Sequence, residues 1–201
     1  MIGIIDYNMG NIQSVVNAFE YIGAPVCVVR AFKELADVDK IVLPGVGAFG
    51  RGMENLGRQD LVNPLSEQVL ERKKPFLGIC LGLQLICKES FEFGHFQGLN
   101  WINASVRRLK DMPGLNIPHI GWNNLIVKKK SVLLDVGDNP DVYFVHSYCV
   151  DALGADFIIA TCEYGQEFVA VIEKENIFAT QFHPEKSQRV GLNILRRFVA
   201  Y

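Results

Sequence analysis

The chain has 201 residues, which suffices for one substantial domain with a complete hydrophobic core but is short for two. Hydrophobic residues make up 49% and charged residues 21% of it, and a formal net charge of −2 gives no electrostatic reason to expect nucleic acid or a membrane surface as the main partner. No apolar stretch approaches the ~20 residues that a membrane span needs, and the N-terminus lacks the pattern of a signal peptide, so we expect a cytoplasmic protein.

The first half of the chain alternates short apolar runs with segments of helical spacing. Its apolar runs are hydrophobic throughout rather than at every second residue, which is typical of parallel strands covered on both faces. Gly23 and Pro25 end the first helical segment. In chain order we predict strands at 2–6, 26–29, 40–43 and 75–79, and helices at 12–22, 61–73 and 81–89.

The second half is less regular and favours antiparallel pairing. A turn at Tyr164–Gln166 lies between two apolar runs, which indicates a hairpin. We predict short strands at 98–109, 122–127, 143–150, 156–162, 168–173 and 176–182, and a closing helix at 190–199. No repeat or linker interrupts the chain. The fold prediction is a single α/β domain over residues 1–201, with a central mostly parallel sheet flanked by helices and an antiparallel extension.

One cysteine of five has a reactive setting. The sequence FLGICLGLQ at residues 76–84 places Cys80 between two glycines at a strand-to-helix junction, the cysteine form of a nucleophile elbow. The tight turn requires small neighbours, and the helix N-terminus favours the thiolate. The backbone N–H of Leu81 is then placed to donate to an oxyanion. The remaining cysteines lie inside apolar elements without a CxxC pair, so we expect neither disulfides nor a metal or cofactor site.

A cysteine nucleophile needs a base and a group that orients it. His183 follows a predicted strand, as Cys80 does, and side chains beyond the carboxyl ends of parallel strands share one rim. Glu185 is two residues away and can bond the far ring nitrogen. His146 is the rival base, but no carboxylate lies within four residues of it. The remaining two histidines, His95 and His119, lie in irregular stretches and are assigned to loop structure.

A glycine-rich loop at residues 43–50, LPGVGAFG, follows another predicted strand. Closely spaced glycines let backbone N–H groups face an anion. Neither a GKS/T nor a GxGxxG pattern is present, which weakens a nucleotide-binding interpretation. Beside a cysteine nucleophile, the loop is interpreted as the second donor of an oxyanion hole, with a plain turn as the alternative.

Together these segments resemble the class I, or triad, glutamine amidotransferases. GICLGLQ at residues 78–84 is similar to that family's GxCxGxQ and HPE at 183–185 to its HPE, in the same order. The resemblance runs nearly end to end and, within the family, is strongest to the glutaminase subunits of imidazole glycerol phosphate synthases. It extends to IIDYNMGN at 4–11, PGVGAF at 44–49, IGWN at 120–123, YFVHSY at 143–148 and TQFHPEKS at 180–187.

The resemblance implies a Cys–His–Glu triad of Cys80, His183 and Glu185. It implies that the partner is a cyclase subunit of (β/α)8-barrel type, bound as a heterodimer, which accepts ammonia released from glutamine. The implied oxyanion hole consists of Val46, Gly47 and Leu81. The implied glutamine-binding residues are Gly45, Gln84, Glu92, Ser147 and Tyr148, and the implied partner-facing residues are Asn11, Trp122 and Lys186.

Two departures from the family pattern keep alternatives open. Asn8 stands where the family usually has glycine, although asparagine tolerates similar backbone angles. Residues 98–104 lack the family's glycine-rich pattern, which leaves open a paralogous glutaminase subunit that supplies ammonia for amidino sugars of surface polysaccharide. Alternatives of another class are a stand-alone cysteine hydrolase or peptidase, and a catalytically idle binding subunit.

Overall fold

The computed structural model describes residues 1–152 and 154–201. The helices are Ile12–Tyr21 (α1), Phe49–Arg58 (α2), Val62–Ser66 (α3), Leu81–Leu85 (α4) and Gln188–Ala200 (α5). The strands are Ile2–Ile5 (β1), Val26–Val29 (β2), Lys40–Gly45 (β3), Phe76–Cys80 (β4), Cys87–Ser90 (β5), Phe96–Gln97 (β6), Ile102–Arg108 (β7), His119–Val127 (β8), Asp141–His146 (β9), Tyr148–Asp151 (β10), Ile158–Glu163 (β11), Glu167–Lys174 (β12) and Ile177–Thr180 (β13). A π-helical turn at Glu67–Glu71 continues α3, and 3-10 turns occupy Phe32–Asp37 and Pro184–Lys186.

Nine of these strands form one sheet in the order β2-β1-β3-β4-β13-β12-β11-β8-β9. The pairs from β2 to β13 are parallel, and those from β13 to β9 are antiparallel. This is the predicted α/β fold with its antiparallel extension, and the hairpin of β11 and β12 is present as predicted. The remaining strands form a smaller sheet in the order β10-β7-β5-β6.

The core has two layers, one on each face of the large sheet. Successive residues of a strand point to opposite faces, and Ile4 and Ile5 accordingly pack into different clusters. One layer contains Phe19 of α1 and Phe198 of α5. The other contains Phe49 of α2 together with apolar residues of α3, α4 and the smaller sheet. The continuous apolar runs in the sequence therefore reflect strands that are covered on both sides.

The helix predicted at 81–89 is shorter than expected. It ends at Leu85, and Cys87 begins strand β5. The carbonyl of Leu85 accepts the N–H of Leu99, and the carbonyl of Ile86 accepts the N–H of Trp101, so a later segment takes the acceptors that further helical turns would use. Tertiary hydrogen bonds override the local helix propensity here.

His119 was assigned to loop structure, and that assignment is wrong. It begins β8, pairs with His146 of β9 and is buried. The strand was predicted to start only at residue 122, whereas β8 runs from His119 to Val127. His95 does lie between regular elements, exposed and paired with Glu89.

Candidate active site

Cys80 occupies a strained elbow between β4 and α4. Its backbone angles, φ 54° and ψ −102°, lie in a region that residues other than glycine rarely adopt. The flanking glycines are needed for close approach: a methyl group on Gly82 would overlap the carbonyl oxygen of Leu43, and one on Gly78 would lie 2.9 Å from the Gly82 backbone. The predicted strand-turn-helix geometry at the cysteine is therefore present.

The thiol opens into a cavity rather than standing free above the sheet. Cys80 is only 5% exposed, and it forms part of the wall of a cavity of about 370 Å³. Its sulfur lies 4.0 Å from the carbonyl oxygen of Val145 and 3.7 Å from Nε2 of Gln181. Segments distant in the chain thus close over the elbow, and the thiol faces a cavity.

His183 and Glu185 form a buried pair at the same edge of the sheet. Strand β13 lies beside β4 in parallel register, with Thr180 opposite Ile79, so the residues after both strands meet. Nδ1 of His183 lies 2.7 Å from Oε1 of Glu185, and both side chains are almost completely buried. Because the carboxylate can only accept, Nδ1 carries the proton and Nε2 is left to face other groups.

The surroundings of His183 favour its protonated form. Burial alone lowers the pKa of an imidazole, but the charge and hydrogen bonding of Cys80, with the carboxylate of Glu185, outweigh it and raise the pKa of His183 to about 10. Nε2 of His183 makes no well-formed hydrogen bond within residues 1–152 and 154–201, although Cys80 is close enough to influence its charge. Catalytic contacts are often loose before substrate binds.

His146, the rival base, lines the cavity but has both ring nitrogens occupied. Its Nδ1 lies 2.9 Å from the carbonyl oxygen of Tyr148, and its Nε2 lies 3.2 Å from Nδ1 of His119. Burial lowers the pKa of His146 to about 3. No nitrogen is thus free to take a proton from Cys80, and His183 is the better candidate.

The glycine-rich loop borders the thiol. Gly45 lies opposite Cys80 in the parallel register of β3 and β4, and Val46 and Gly47 line the cavity, as Leu81 does. Gly47 has φ +114°, a backbone angle that requires glycine. Gly45 is not among the residues that line the cavity, and a methyl group on it would overlap the hydroxyl of Tyr7. Its role in binding glutamine stays a prediction.

The other expected glutamine-binding residues, Gln84, Glu92, Ser147 and Tyr148, all line the cavity. Nε2 of Gln84 lies 2.9 Å from the carbonyl oxygen of Tyr148, which holds the two walls together. Oε2 of Glu92 accepts the backbone N–H of Phe49 at 2.7 Å, and burial raises the pKa of Glu92 despite this bond. A carboxylate and an amide facing one cavity suit an amino-acid ligand, although their binding roles stay predictions.

Sequence reasoning missed two polar groups beside the nucleophile. Gln181 is completely buried, accepts a hydrogen bond from Gln84 and points its amide nitrogen at Cys80. Its position two residues before His183 was the available signal. The hydroxyl of Tyr7 is buried under Gly45 without a partner in the described part of the chain, and burial and the charge of Cys80 raise its pKa.

The residues expected at a partner interface are exposed. Trp122 of β8 is 47% exposed and Ile120, two residues before it, is 59% exposed, so one face of the strand presents apolar surface. Lys186 is exposed on the turn that packs against β9 and α1. Asn11 caps α1, where its side chain accepts the N–H of Ser14. Exposed apolar side chains beside polar ones are typical of a docking surface. The partner-facing roles of these residues stay predictions.

No helix in the part of the chain that the structure describes combines the length and the apolar character needed to cross a membrane. Nor do the histidines, cysteines and carboxylates of that part gather in groups of three that could hold a metal ion.

The chain is similar to known proteins over nearly its whole length. The family described as Glutamine amidotransferase class-I matches residues 3–200. A Geobacter sulfurreducens protein named imidazole glycerol phosphate synthase subunit HisH is 48% identical, covering 98% of this chain and 97% of its own. A Campylobacter jejuni relative, subunit HisH 1 of the same synthase, is 46% identical and covers 99% of both chains.

Solved structures share the fold at low identity. One described as a crystal structure of a glutamine amidotransferase aligns with a TM-score of 0.77 at 18% identity, covering 99% of this chain and 97% of its own. Another, described as PurLQS from Thermotoga maritima, aligns with a TM-score of 0.78 at 18% identity, covering 100% and 97%. At this identity they bear on the fold alone.

Proposed function

The chain belongs to the class-I glutamine amidotransferases, and on that premise we propose that it is the glutaminase subunit of an imidazole glycerol phosphate synthase in histidine biosynthesis. The name shared by relatives of 46% and 48% identity supports the pathway. The observation that carries the chemistry is the elbow cysteine, Cys80, lining a cavity next to a buried pair of His183 and Glu185. The reaction is hydrolysis of glutamine to glutamate and ammonia.

The first half-reaction forms a thioester. The Cys80 thiolate attacks the side-chain amide carbon of glutamine, and the amide oxygen becomes an oxyanion held by backbone N–H groups of Leu81 and of the Val46–Gly47 peptide. The imidazolium of His183, kept protonated by its neighbours, donates a proton to the departing nitrogen. The C–N bond breaks, and ammonia leaves.

The second half-reaction regenerates the enzyme. Now neutral, the imidazole of His183 takes a proton from water, whose oxygen attacks the thioester carbon. The C–S bond breaks, glutamate leaves, and the thiolate and imidazolium are restored. Glu185 keeps the same ring nitrogen facing the reaction in both halves, because its carboxylate accepts a hydrogen bond from the N–H group at Nδ1.

Ammonia is protonated and lost in water, so a sealed path to a second active site is chemically advantageous. The partner that accepts it is a cyclase subunit of (β/α)8-barrel type, in a cytoplasmic heterodimer. The exposed apolar face of β8, with Ile120 and Trp122, supports docking on that side, where Lys186 adds charge. Trp122→Ala is expected to weaken association in analytical ultracentrifugation, whereas Tyr21→Ala, which truncates another exposed aromatic residue, is not.

The proposed chemistry is tested by the glutamate released with and without the cyclase subunit. Cys80→Ala is expected to abolish release and covalent labelling by a glutamine-like electrophile. Cys27→Ala is the matched control, since Cys27 lies on β2, outside the cavity lining. Full activity of Cys80→Ala would end the proposal.

The pathway is tested separately by growth. We expect the chain to restore growth without histidine to a bacterium that lacks its histidine-pathway glutaminase subunit. Glutaminase activity in the assay without restored growth would point to another acceptor, such as the sugar substrates of the paralogous subunits. Activity on peptide or ester substrates without a partner would instead identify a stand-alone hydrolase.

A further inference from the structure

A pair of buried histidines borders the candidate glutamine pocket, outside the triad: His146 lines the cavity, and its neighbour His119 does not. His119 of β8 and His146 of β9 face each other across the two strands, with Nδ1 of His119 3.2 Å from Nε2 of His146. They are 3% and 6% exposed, respectively. The ring of His119 stacks against Phe144 and Tyr164, at centroid distances of 4.9 and 3.9 Å. Such a pair has no role in the chemistry proposed for Cys80, His183 and Glu185.

The hydrogen bonds determine where each proton of the pair resides. The carbonyl oxygen of Tyr148 can only accept, so Nδ1 of His146 carries a proton and donates it over 2.9 Å. In a neutral imidazole the other nitrogen is then an acceptor, which makes Nδ1 of His119 the donor of the bond between the rings. Burial lowers the pKa of both residues, to about 4 for His119 and about 3 for His146, so both are neutral near pH 7.

The same carbonyl connects the pair to the nucleophile. The carbonyl oxygen of Tyr148 also accepts a hydrogen bond from Nε2 of Gln84 at 2.9 Å. The same amide nitrogen donates a second hydrogen bond to Oε1 of Gln181 at 3.1 Å. With its oxygen facing Gln84, Gln181 turns its own amide nitrogen toward the sulfur of Cys80, at 3.7 Å. In each of these hydrogen bonds the donor and the acceptor are determined by the bonds before it.

The Tyr148 carbonyl is also where the chain passes from one sheet to the other. His146 ends β9 in the large sheet, and Tyr148 begins β10 in the smaller one. Ser147 and Tyr148 line the cavity together with Gln84. The hydrogen bond from His146 to the carbonyl of Tyr148 spans the turn between the two sheets, beside that lining.

From this geometry we infer that His119 and His146 are positioning residues for glutamine hydrolysis. The pair holds the Tyr148 carbonyl, the carbonyl orients Gln84, and Gln84 acts through Gln181 on the hydrogen bond that the Cys80 sulfur receives. This inference rests on the proposed function, because it assigns the pair a role at the glutamine pocket.

His119 can be varied without altering the groups that line the cavity. Asparagine places its amide nitrogen close to the position of Nδ1 and keeps the donor, whereas leucine has similar bulk and no donor. His119→Leu is expected to raise KM for glutamine about tenfold, the effect of losing one buried hydrogen bond. His119→Asn is expected to stay within about threefold of the parent, since a donor remains. His95→Asn makes the same substitution at the exposed histidine and is the control.

The division between KM and kcat separates positioning from simple destabilisation. A variant that only folds less well lowers kcat per mole of protein and leaves KM unchanged. Kinetics are measured with the cyclase subunit present, alongside thermal unfolding of each variant. An unchanged KM for His119→Leu, or an equal KM increase for His119→Asn, would overturn the inference.

Nitrogen NMR of the parent protein tests the pair even if His119→Leu does not fold. Two-bond 1H–15N correlations distinguish the imidazole tautomers, and at pH 7.5 both rings are expected to carry their single proton on Nδ1. A ring protonated on Nε2, or on both nitrogens, would overturn the inference. This measurement does not depend on turnover. If the chain hydrolysed no glutamine but both rings carried their proton on Nδ1, the proposed function would be wrong while the hydrogen-bond network would stand.

Discussion

At the scale of single residues, the site depends on a few positions where the side chain or its absence decides the geometry. Cys80 adopts strained backbone angles, and its flanking glycines allow a strand and a helix to meet there. Glu185 gives His183 its orientation and contributes to its raised pKa. Two substitutions test these statements.

Glu185→Gln is expected to lower kcat by about 10²–10⁴-fold, because the amide keeps the volume but lets the imidazole adopt the wrong tautomer or orientation. The pKa of His183 is expected to fall at the same time, since one of the groups that raise it is lost. Steady-state kinetics and NMR titration of His183 measure the two effects. Activity within a few-fold of the parent would remove Glu185 from the mechanism.

Gly82→Ala is expected to destabilise the protein by about 1–3 kcal/mol or to prevent folding, because its methyl group overlaps the backbone of Leu43 and overpacks the core. Gly57→Ala is the contrasting control. Gly57 lies inside α2 with no atom near the added methyl group, so alanine there is expected to stabilise by about 0.5–1 kcal/mol. Urea unfolding compares both, and equal effects would contradict the packing argument.

At the scale of elements, neighbouring segments decide where helices and strands begin and end. Helix α4 is only five residues long because the segment from Leu99 to Ile102 takes its carbonyl acceptors. A second set of hydrogen bonds between distant segments lies just before β13. There the side chain of Asn176 donates to the carbonyls of Val69 and Lys74 at 2.9 and 2.8 Å. One buried side chain thus joins the end of the π-helical turn to the sheet.

Asn176→Ala is expected to destabilise the fold by about 2 kcal/mol or more, because it leaves one buried and one half-buried carbonyl without their donor. Asn193→Ala serves as the control on the exposed face of α5, where the amide only accepts a bond from Arg196. The change in urea midpoint at constant m-value measures the difference. A loss no larger than that of the control would show that the π-helical turn is held by other contacts.

At the scale of the whole molecule, buried titrating groups link stability to pH. His119 and His146 have pKa values of about 4 and about 3, below the ordinary value of about 6.5. The unfolded chain therefore binds more protons in acid, and stability falls as pH drops from about 6.5 toward 3. His183, with its pKa raised to about 10, contributes stability that is full below pH 6.5 and is lost as pH rises toward 10.

We therefore expect the protein to be most stable near neutral pH. The loss of stability in acid comes from His119 and His146, and the loss in alkali comes from His183. His119→Asn is expected to flatten the acid side, since it removes one buried imidazole. Cys80→Ala is expected to flatten the alkaline side, because His183 loses the neighbour that most raises its pKa. Urea midpoints between pH 4 and 9 measure both slopes, and parallel curves for parent and variants would contradict this assignment.

Local patterns in the sequence predicted the parts of the site whose geometry is itself local. An elbow needs only a strand, a helix and small residues around one cysteine, and HPE needs only an imidazole and a carboxylate two residues apart. The continuous apolar runs likewise predicted strands covered on both faces, and the turn at 164–166 predicted the hairpin of β11 and β12.

The tertiary structure decided what depends on residues far apart in the chain. The sulfur of Cys80 meets Gln181, 101 residues away, and His119 meets His146, 27 residues away. The first contact covers the thiol, and the second occupies one nitrogen of the rival base. Bonds from Leu99 and Trp101, again distant in the chain, end α4 early. A propensity or a motif acts over a few neighbouring residues. A hydrogen bond between distant segments exists only once the sheets have brought those segments together. For that physical reason the sequence alone did not reveal these contacts.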